Sequence, residues 1–354
     1  MAGMIRSVDA SAPQGTQTRA GAATAFGRPR RTGRGWLGAL AAVLAVMLVT
    51  ALPARAQPSG EPLDVVATTG MLGDAVKAVG GERVSVTTLM GPGVDPHTYR
   101  QTRSDIGRLT RADLVVWHGL NLEAQLEKLM HDLARRQRVV ALAETALPRA
   151  DLLADEDYPD RYDPHVWMDP SLWERVVEAA RDALIDAEPA SRAVFEANAR
   201  AYLLKLDELD DYSRKVLESV PRKGRVLVTA HDAFRYFGRA YGYEVLGIQG
   251  ISTESEASLH QVERLVGELA KRQIGAIFVE SSVSERNVRA LVEGAAARGH
   301  TVRVGGELYS DAMGAPDTPE GTYLGMIAHN VSTIACALGG DAGQPPAGVA
   351  PCKK

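Results

Sequence analysis

Two rhythms of hydrophobicity alternate along most of this chain. Short apolar runs, Leu63–Thr68, Val84–Leu89, Leu114–Trp117 and Arg138–Ala143, read as strands. Between them apolar residues return every three or four positions, which predicts helices over Met71–Gly80, Thr102–Arg111 and Leu122–Arg136. The run Asp113-Leu-Val-Val-Trp117 is so poor in polar residues that it reads as a parallel strand buried on both faces. From Asp169 to Val220 only the helical rhythm remains. Trp173–Ala187 predicts one helix, stopped by Glu188-Pro189, and Ala190–Val220 a longer one without internal Gly or Pro. At about 1.5 Å per residue the second would span roughly 45 Å, more than one small lobe needs. After Pro221-Arg-Lys-Gly224 the alternation resumes, with strands at Val226–Thr229, Glu244–Ile248, Ala276–Val279 and Thr301–Val304. Helices fall at Ala233–Tyr241, Leu259–Gln273, Ser284–Arg298 and Thr322–Leu338. The expected class is therefore α/β: two lobes with parallel sheets, 57–187 and 224–340, joined by one long helix within 188–223, with a tail 341–354. A cleft between such lobes is where a ligand is expected.

The first 56 residues differ from the rest. They hold seven Arg and one acid, Asp9, and end in the uncharged apolar run Trp36–Pro53 followed by Ala54-Arg55-Ala56. A basic region, an apolar core and small residues around a cleavage point make an export signal, which places the protein in the periplasm. The alternative is an uncleaved membrane tether, since the apolar run is near the lower limit for a bilayer span. No Cys lies near the cleavage point to carry a lipid. Without residues 1–56 the chain has 33 basic and 43 acidic residues, a formal net charge of −10. That balance excludes nucleic acid as a natural partner and suits a soluble protein that handles cations. The two cysteines, Cys336 and Cys352, are compatible with a disulfide in an exported chain or with two free thiols; no CxxC pair suggests a thiolate metal site.

Three of the eight histidines sit in similar settings, each after a strand or loop and before a helical stretch. They are Gly91-Pro-Gly-Val-Asp-Pro-His97-Thr-Tyr99, Tyr162-Asp-Pro-His165-Val-Trp-Met-Asp-Pro170 and Val228-Thr-Ala-His231-Asp-Ala-Phe234. In parallel α/β folds that edge is where sites are built. In the two Asp-Pro-His triplets, Pro restrains the preceding Asp to extended geometry, so the His follows a stiffened loop. Neutral imidazole is the commonest ligand for transition metals, and its second nitrogen needs an acceptor; Asp95, Asp163, Asp169 and Asp232 are at hand. The second half offers two carboxylates for a fourth ligand, Glu280 in Phe278-Val-Glu280-Ser-Ser and Asp311 in Leu308-Tyr-Ser-Asp311-Ala-Met. Three imidazoles and a carboxylate fill a four-coordinate zinc site, and a bidentate carboxylate would suit manganese. Of the other histidines, His118 reads as a local hydrogen-bonding residue after its strand, and His131, His260, His300 and His329 as helix residues or their neighbours.

Those motifs, with Asn121-Leu-Glu123 and Thr229-Ala-His231-Asp-Ala-Phe234-Arg-Tyr-Phe237, resemble the cluster A-I receptors, the zinc- and manganese-binding solute receptors of ABC importers, over nearly all of 62–340. The resemblance implies two (β/α) lobes on a rigid long helix. It implies one Zn²⁺ or Mn²⁺ per chain held by His97 and His165 from the first lobe and by His231 and Asp311 from the second. Glu280 then falls to a supporting position. It further implies a monomeric binding protein that hands its ion to a membrane permease and performs no catalysis. The chain departs from manganese-dedicated members, which often have Glu at the third ligand. It departs from zinc-dedicated ones too, because Asp151-Leu-Leu-Ala-Asp-Glu-Asp-Tyr-Pro-Asp160 is acidic and lacks His.

Two other readings use the same residues. Three His and a carboxylate could activate water in an exported hydrolase if one coordination position stayed open. No HExxH, GxSxG or Gly-rich phosphate loop accompanies them, and no Cys nucleophile is suggested. An adhesin or surface protein could also reuse such a fold without transport.

Overall fold

The computed structural model describes residues 60–154 and 161–343. The export segment 1–56, Cys352 and positions 155–160 of the acidic run lie outside them. Cys336 is not a free thiol.

The first half is a four-stranded parallel sheet in the order β2-β1-β3-β4, made of β1 (Leu63–Ala67), β2 (Val84–Thr88), β3 (Leu114–Trp117) and β4 (Arg138–Ala141). Helices α1 (Gly70–Gly80), α2 (Arg103–Arg111), α3 (Glu127–Ala134) and the short α4 (Leu142–Ala146) connect and follow these strands. The second half has two parallel pairs, β5 (Val226–Thr229) with β6 (Glu244–Gly247), and β7 (Ala276–Glu280) with β8 (Arg303–Leu308); β5 lies beside β7. Helices α7 (Arg235–Tyr241), α8 (Leu259–Arg272), α9 (Arg286–Ala297) and α10 (Tyr323–Ala337) complete it.

Strand alternation explains the core. Val65 and Ala67 of β1, with Leu114 and Val116 of β3, face one apolar cluster, while Val66, Val115 and Trp117 face another. The second half repeats the pattern: Leu227, Ala276 and Phe278 join the first cluster, and Val226, Val228, Ile277 and Val279 face a third. One cluster is thus common to the inner faces of both halves. Two helices from the middle of the chain fill it, α5 (Pro170–Ala187) and α6 (Arg192–Glu218). Pro170 opens α5, with Asp169 accepting the Ser171 N–H at 3.0 Å. The 27 residues of α6 run about 40 Å and pack on α1, α5 and α10, so one rod is braced by helices from both halves. Its buried stripe is Phe195, Ala199, Tyr202, Leu206, Leu209, Ser213, Val216 and Leu217. Ser213 is tolerated there because its hydroxyl donates to Leu209 O at 2.7 Å.

Three local expectations needed correction. The helix expected over Leu122–Arg136 begins only at Glu127; the residues before it run through turns, with Leu122 N–H donating to Gly119 O and Leu126 N–H to Glu123 O. The strand expected to reach Ala143 stops at Ala141 and becomes α4. The strand expected at Thr301–Val304 runs on through Gly305 and Gly306 to Leu308. Those glycines do not break it; a Cβ on Gly305 would meet Ala337 and the Phe278 ring at 2.8 Å, so the strand needs a residue without one. A register shift between Ile277 and Phe278 sets Glu280 opposite Leu308, at the ends from which the site is built.

Candidate metal centre

Each expected residue leaves its element at the carboxyl end of a strand or from a stiff loop. His97 follows β2 and lies in the turn 91–99; His231 follows β5 by two residues; Asp311 follows β8 by three. His165 enters the single 3-10 turn Val166–Met168 that leads into α5. The structure brings all four side chains together, each at most 2% exposed, with one ligand atom from each lying within 4.8 Å of the others. The Nε2 atoms of His97 and His165 are 3.2 Å apart, and those of His165 and His231 are 3.4 Å apart. Asp311 approaches His231 Nε2 at 3.1 Å, His165 Nε2 at 3.4 Å and His97 Nε2 at 3.8 Å.

The ring tautomers follow from what lies behind them. His165 Nδ1 meets Asp163 Oδ1 at 2.7 Å, and His231 Nδ1 meets Glu280 Oε2 at 2.5 Å. Both carboxylates also accept the backbone N–H of the same histidine, each at 2.9 Å. A neutral ring that donates from Nδ1 has a bare lone pair on Nε2. The centre is therefore ringed by nitrogen lone pairs and by Asp311, neither oxygen of which accepts an aligned hydrogen bond. Lone pairs at such separations repel unless positive charge stands among them, as protons or as a metal ion. Burial opposes charge on His165, but Asp163 and Asp311 outweigh it and hold its pKa up at about 9. The same contest, with Asp311 and Glu280 prevailing, raises His231 well above its ordinary value. Burial pushes His97 down to about 3, with Asp311 recovering only part. Asp311, despite burial, is held well below the carboxylate range by His231 and His165.

Glu280, one of two carboxylates open as the fourth ligand, stands behind His231 and orients it. His118, expected to bond locally, instead places its Nε2 2.7 Å from Pro164 O, 46 residues away, and is 1% exposed. Trp167 Nε1 donates to Ser310 O at 2.8 Å, joining the His165 turn to the residue before Asp311. Thr253, which no motif marks, donates to Asp95 Oδ2 at 2.6 Å from the other half. None of these three contacts has a sequence signal, because each depends on a neighbour brought in by the fold.

With this geometry in hand, comparisons with known proteins are informative. The family described as zinc-uptake complex component A, periplasmic (ZnuA) matches residues 65–337. The manganese-binding lipoprotein MntA of Bacillus subtilis is 46% identical over 278 residues, 78% of this chain and 90% of the relative. The zinc-binding protein TroA of Treponema pallidum is 47% identical over 283 residues, 80% of this chain and 91% of TroA. The solved structure of that periplasmic zinc-binding protein superposes with a TM-score of 0.76, covering 79% of this chain and 99% of its own.

Proposed function

The chain belongs to the ZnuA family of metal-binding solute receptors, and from that premise we propose that His97, His165, His231 and Asp311 hold its ion. It is an exported, periplasmic receptor that captures zinc or manganese for an ABC-type importer. The observation that carries the ligand assignment is the buried ring of acceptors: three Nε2 atoms and the two unbonded Asp311 oxygens face one centre. A cation satisfies all of them at once.

The family consists of binding proteins, and the alternative of an exported hydrolase finds no support in it. The site geometry favours holding over turnover, since all four ligands are buried. Zinc is favoured by intrinsic affinity because three of the four donors are nitrogen. Similarity does not choose between metals: the zinc-binding and manganese-binding relatives are 47% and 46% identical to this chain. The chain acts as a monomer that docks on a membrane permease, with 57–187 and 224–340 as its two lobes and 188–223 as the rigid link.

Elemental analysis of stripped protein offered zinc, manganese and iron together tests this reading. One equivalent of zinc per chain is expected in the parent after challenge with a chelator, and much less than one in His165→Ala. Equal metal content in the variant and the parent would overturn the ligand assignment.

A further inference from the structure

Besides Asp163 and Glu280, a further buried carboxylate, Glu123, has no place in the ligand set. Glu123 is fully shielded from solvent. Its Oε1 accepts the Thr68 hydroxyl at 2.6 Å and the His118 backbone N–H at 2.8 Å, and its Oε2 accepts the Gly119 N–H at 3.2 Å. Thr68 follows β1 and His118 follows β3, so one side chain ties two neighbouring strand ends. Burial pushes the carboxyl up to about 7 against the pull of those bonds.

The anchor holds the backbone at two places. The first is His118, whose ring stands edge-on to Trp167 at 5.0 Å and lies 2.7 Å from Pro164 O, in the peptide that carries His165. Because a carbonyl only accepts, Nε2 of His118 is the donor. The second is the turn Gly119-Leu120-Asn121, whose φ angles are 81°, 56° and 62°. Three successive left-handed residues, two of them with a Cβ, are strained and persist only when their surroundings hold them. Leu120 and Asn121 line a cavity of about 40 Å³ together with His97 and Pro164, so the strained turn forms a wall beside one ligand.

We propose that Glu123 is a positioning residue for the metal centre, acting through His118 on the His165 peptide and through the turn Gly119–Asn121 on the wall beside His97. It rests on the ligand assignment made above. A strand-end staple alone would explain the bonds to Thr68 and to the His118 N–H. It would not require the residue held at the second strand end to be a histidine whose ring reaches the peptide of His165.

The test uses the full chain loaded with Co²⁺, whose visible bands report ligand geometry, beside zinc affinity and melting temperature. Glu123→Gln and His118→Gln are each expected to shift the cobalt bands and weaken zinc by about tenfold, the scale of groups that orient ligands. The double variant should lose no more than Glu123→Gln alone, because the His118 route is one of the two that Glu123 holds. If Glu123→Gln does not fold, the cobalt spectrum of His118→Gln decides. An unshifted spectrum with zinc affinity within about twofold of the parent, and only a lower melting temperature, reduces Glu123 to a staple and overturns the proposal. A parent protein that takes up no cobalt overturns the ligand assignment and this proposal with it; a parent that loads normally beside an unshifted variant overturns this proposal alone.

Discussion

The chain contains the triplet Asp-Pro-His twice, at 95–97 and 163–165, and the two copies are put to different use. Both start alike: the Asp accepts the backbone N–H of the His two residues on, at 2.9 Å in each case. Beyond that point they diverge. Asp163 is fully buried and turns the same oxygen to His165 Nδ1, which fixes the ring and raises its pKa to about 9. Asp95 keeps to backbone and hydroxyl partners, Thr98 at 3.1 Å and, from the second half, Thr253 at 2.6 Å. The second copy thus tunes a proposed ligand, while the first ties the second half to the turn that carries His97. Identical triplets can share a local turn and still do different chemistry: one Asp turns to the ring of its own histidine, the other to a hydroxyl brought in from the second half.

Several measurements would break or sharpen this contrast. The largest effect is expected from His165→Ala. Structural zinc sites bind with roughly 10–16 kcal/mol over four ligands, so losing one should weaken zinc by about a hundred- to a thousandfold. Competition with a chelator measures it, and a loss under tenfold would detach His165 from the site. Next is pH. In the metal-free protein His165 is raised to about 9, so the incoming ion displaces a proton below that pH. Zinc affinity should climb up to about tenfold per pH unit for each proton displaced, and the part due to His165 should level off near pH 9. The sign for folding is opposite: the raised pKa stabilises the metal-free protein fully below the ordinary value of 6.5, and that contribution disappears as pH rises through about 9. Calorimetry in buffers of different ionisation heat should therefore find protons released on zinc binding at pH 7.

A smaller effect separates the triplets themselves. Asp163→Asn should cost about 10- to 100-fold in zinc affinity, since it withdraws the acceptor behind a ligand. Asp95→Asn should cost less than about tenfold, because an amide oxygen can still accept the His97 N–H. Equal losses would erase the distinction. The smallest equilibrium change is expected of Thr253→Val, which removes one hydrogen bond across the halves; its mark should be faster zinc release in stopped flow, with affinity within about tenfold of the parent. Unchanged release would show that the Thr253–Asp95 bond does not hold the halves together.

Much of this was readable one residue at a time. Strand β3 was expected and found at Leu114–Trp117, and the α6 stripe from Phe195 to Val216 was plain, because period and burial are local consequences of composition. The family motifs pointed to His97, His165, His231 and Asp311, and the fold brings those four side chains to one centre. Other features had no local signature. The strained turn Gly119–Asn121 was not foreseen, nor the run of turns that delays the expected helix to Glu127. The strand expected to end at Val304 runs on to Leu308 through Gly305, where Phe278 and Ala337 come too close for a side chain.

The order of residues along the chain thus decided which segments are strands and helices and which types of donor could meet a metal. Only the packed fold decided that Glu280 stands behind His231, that His118 holds Pro164, and that the two Asp-Pro-His turns part ways. The physical reason is the range of the forces. Backbone preference and hydrophobic period act over a few neighbouring residues, whereas each of those pairings joins positions 46 or more residues apart or depends on one that does.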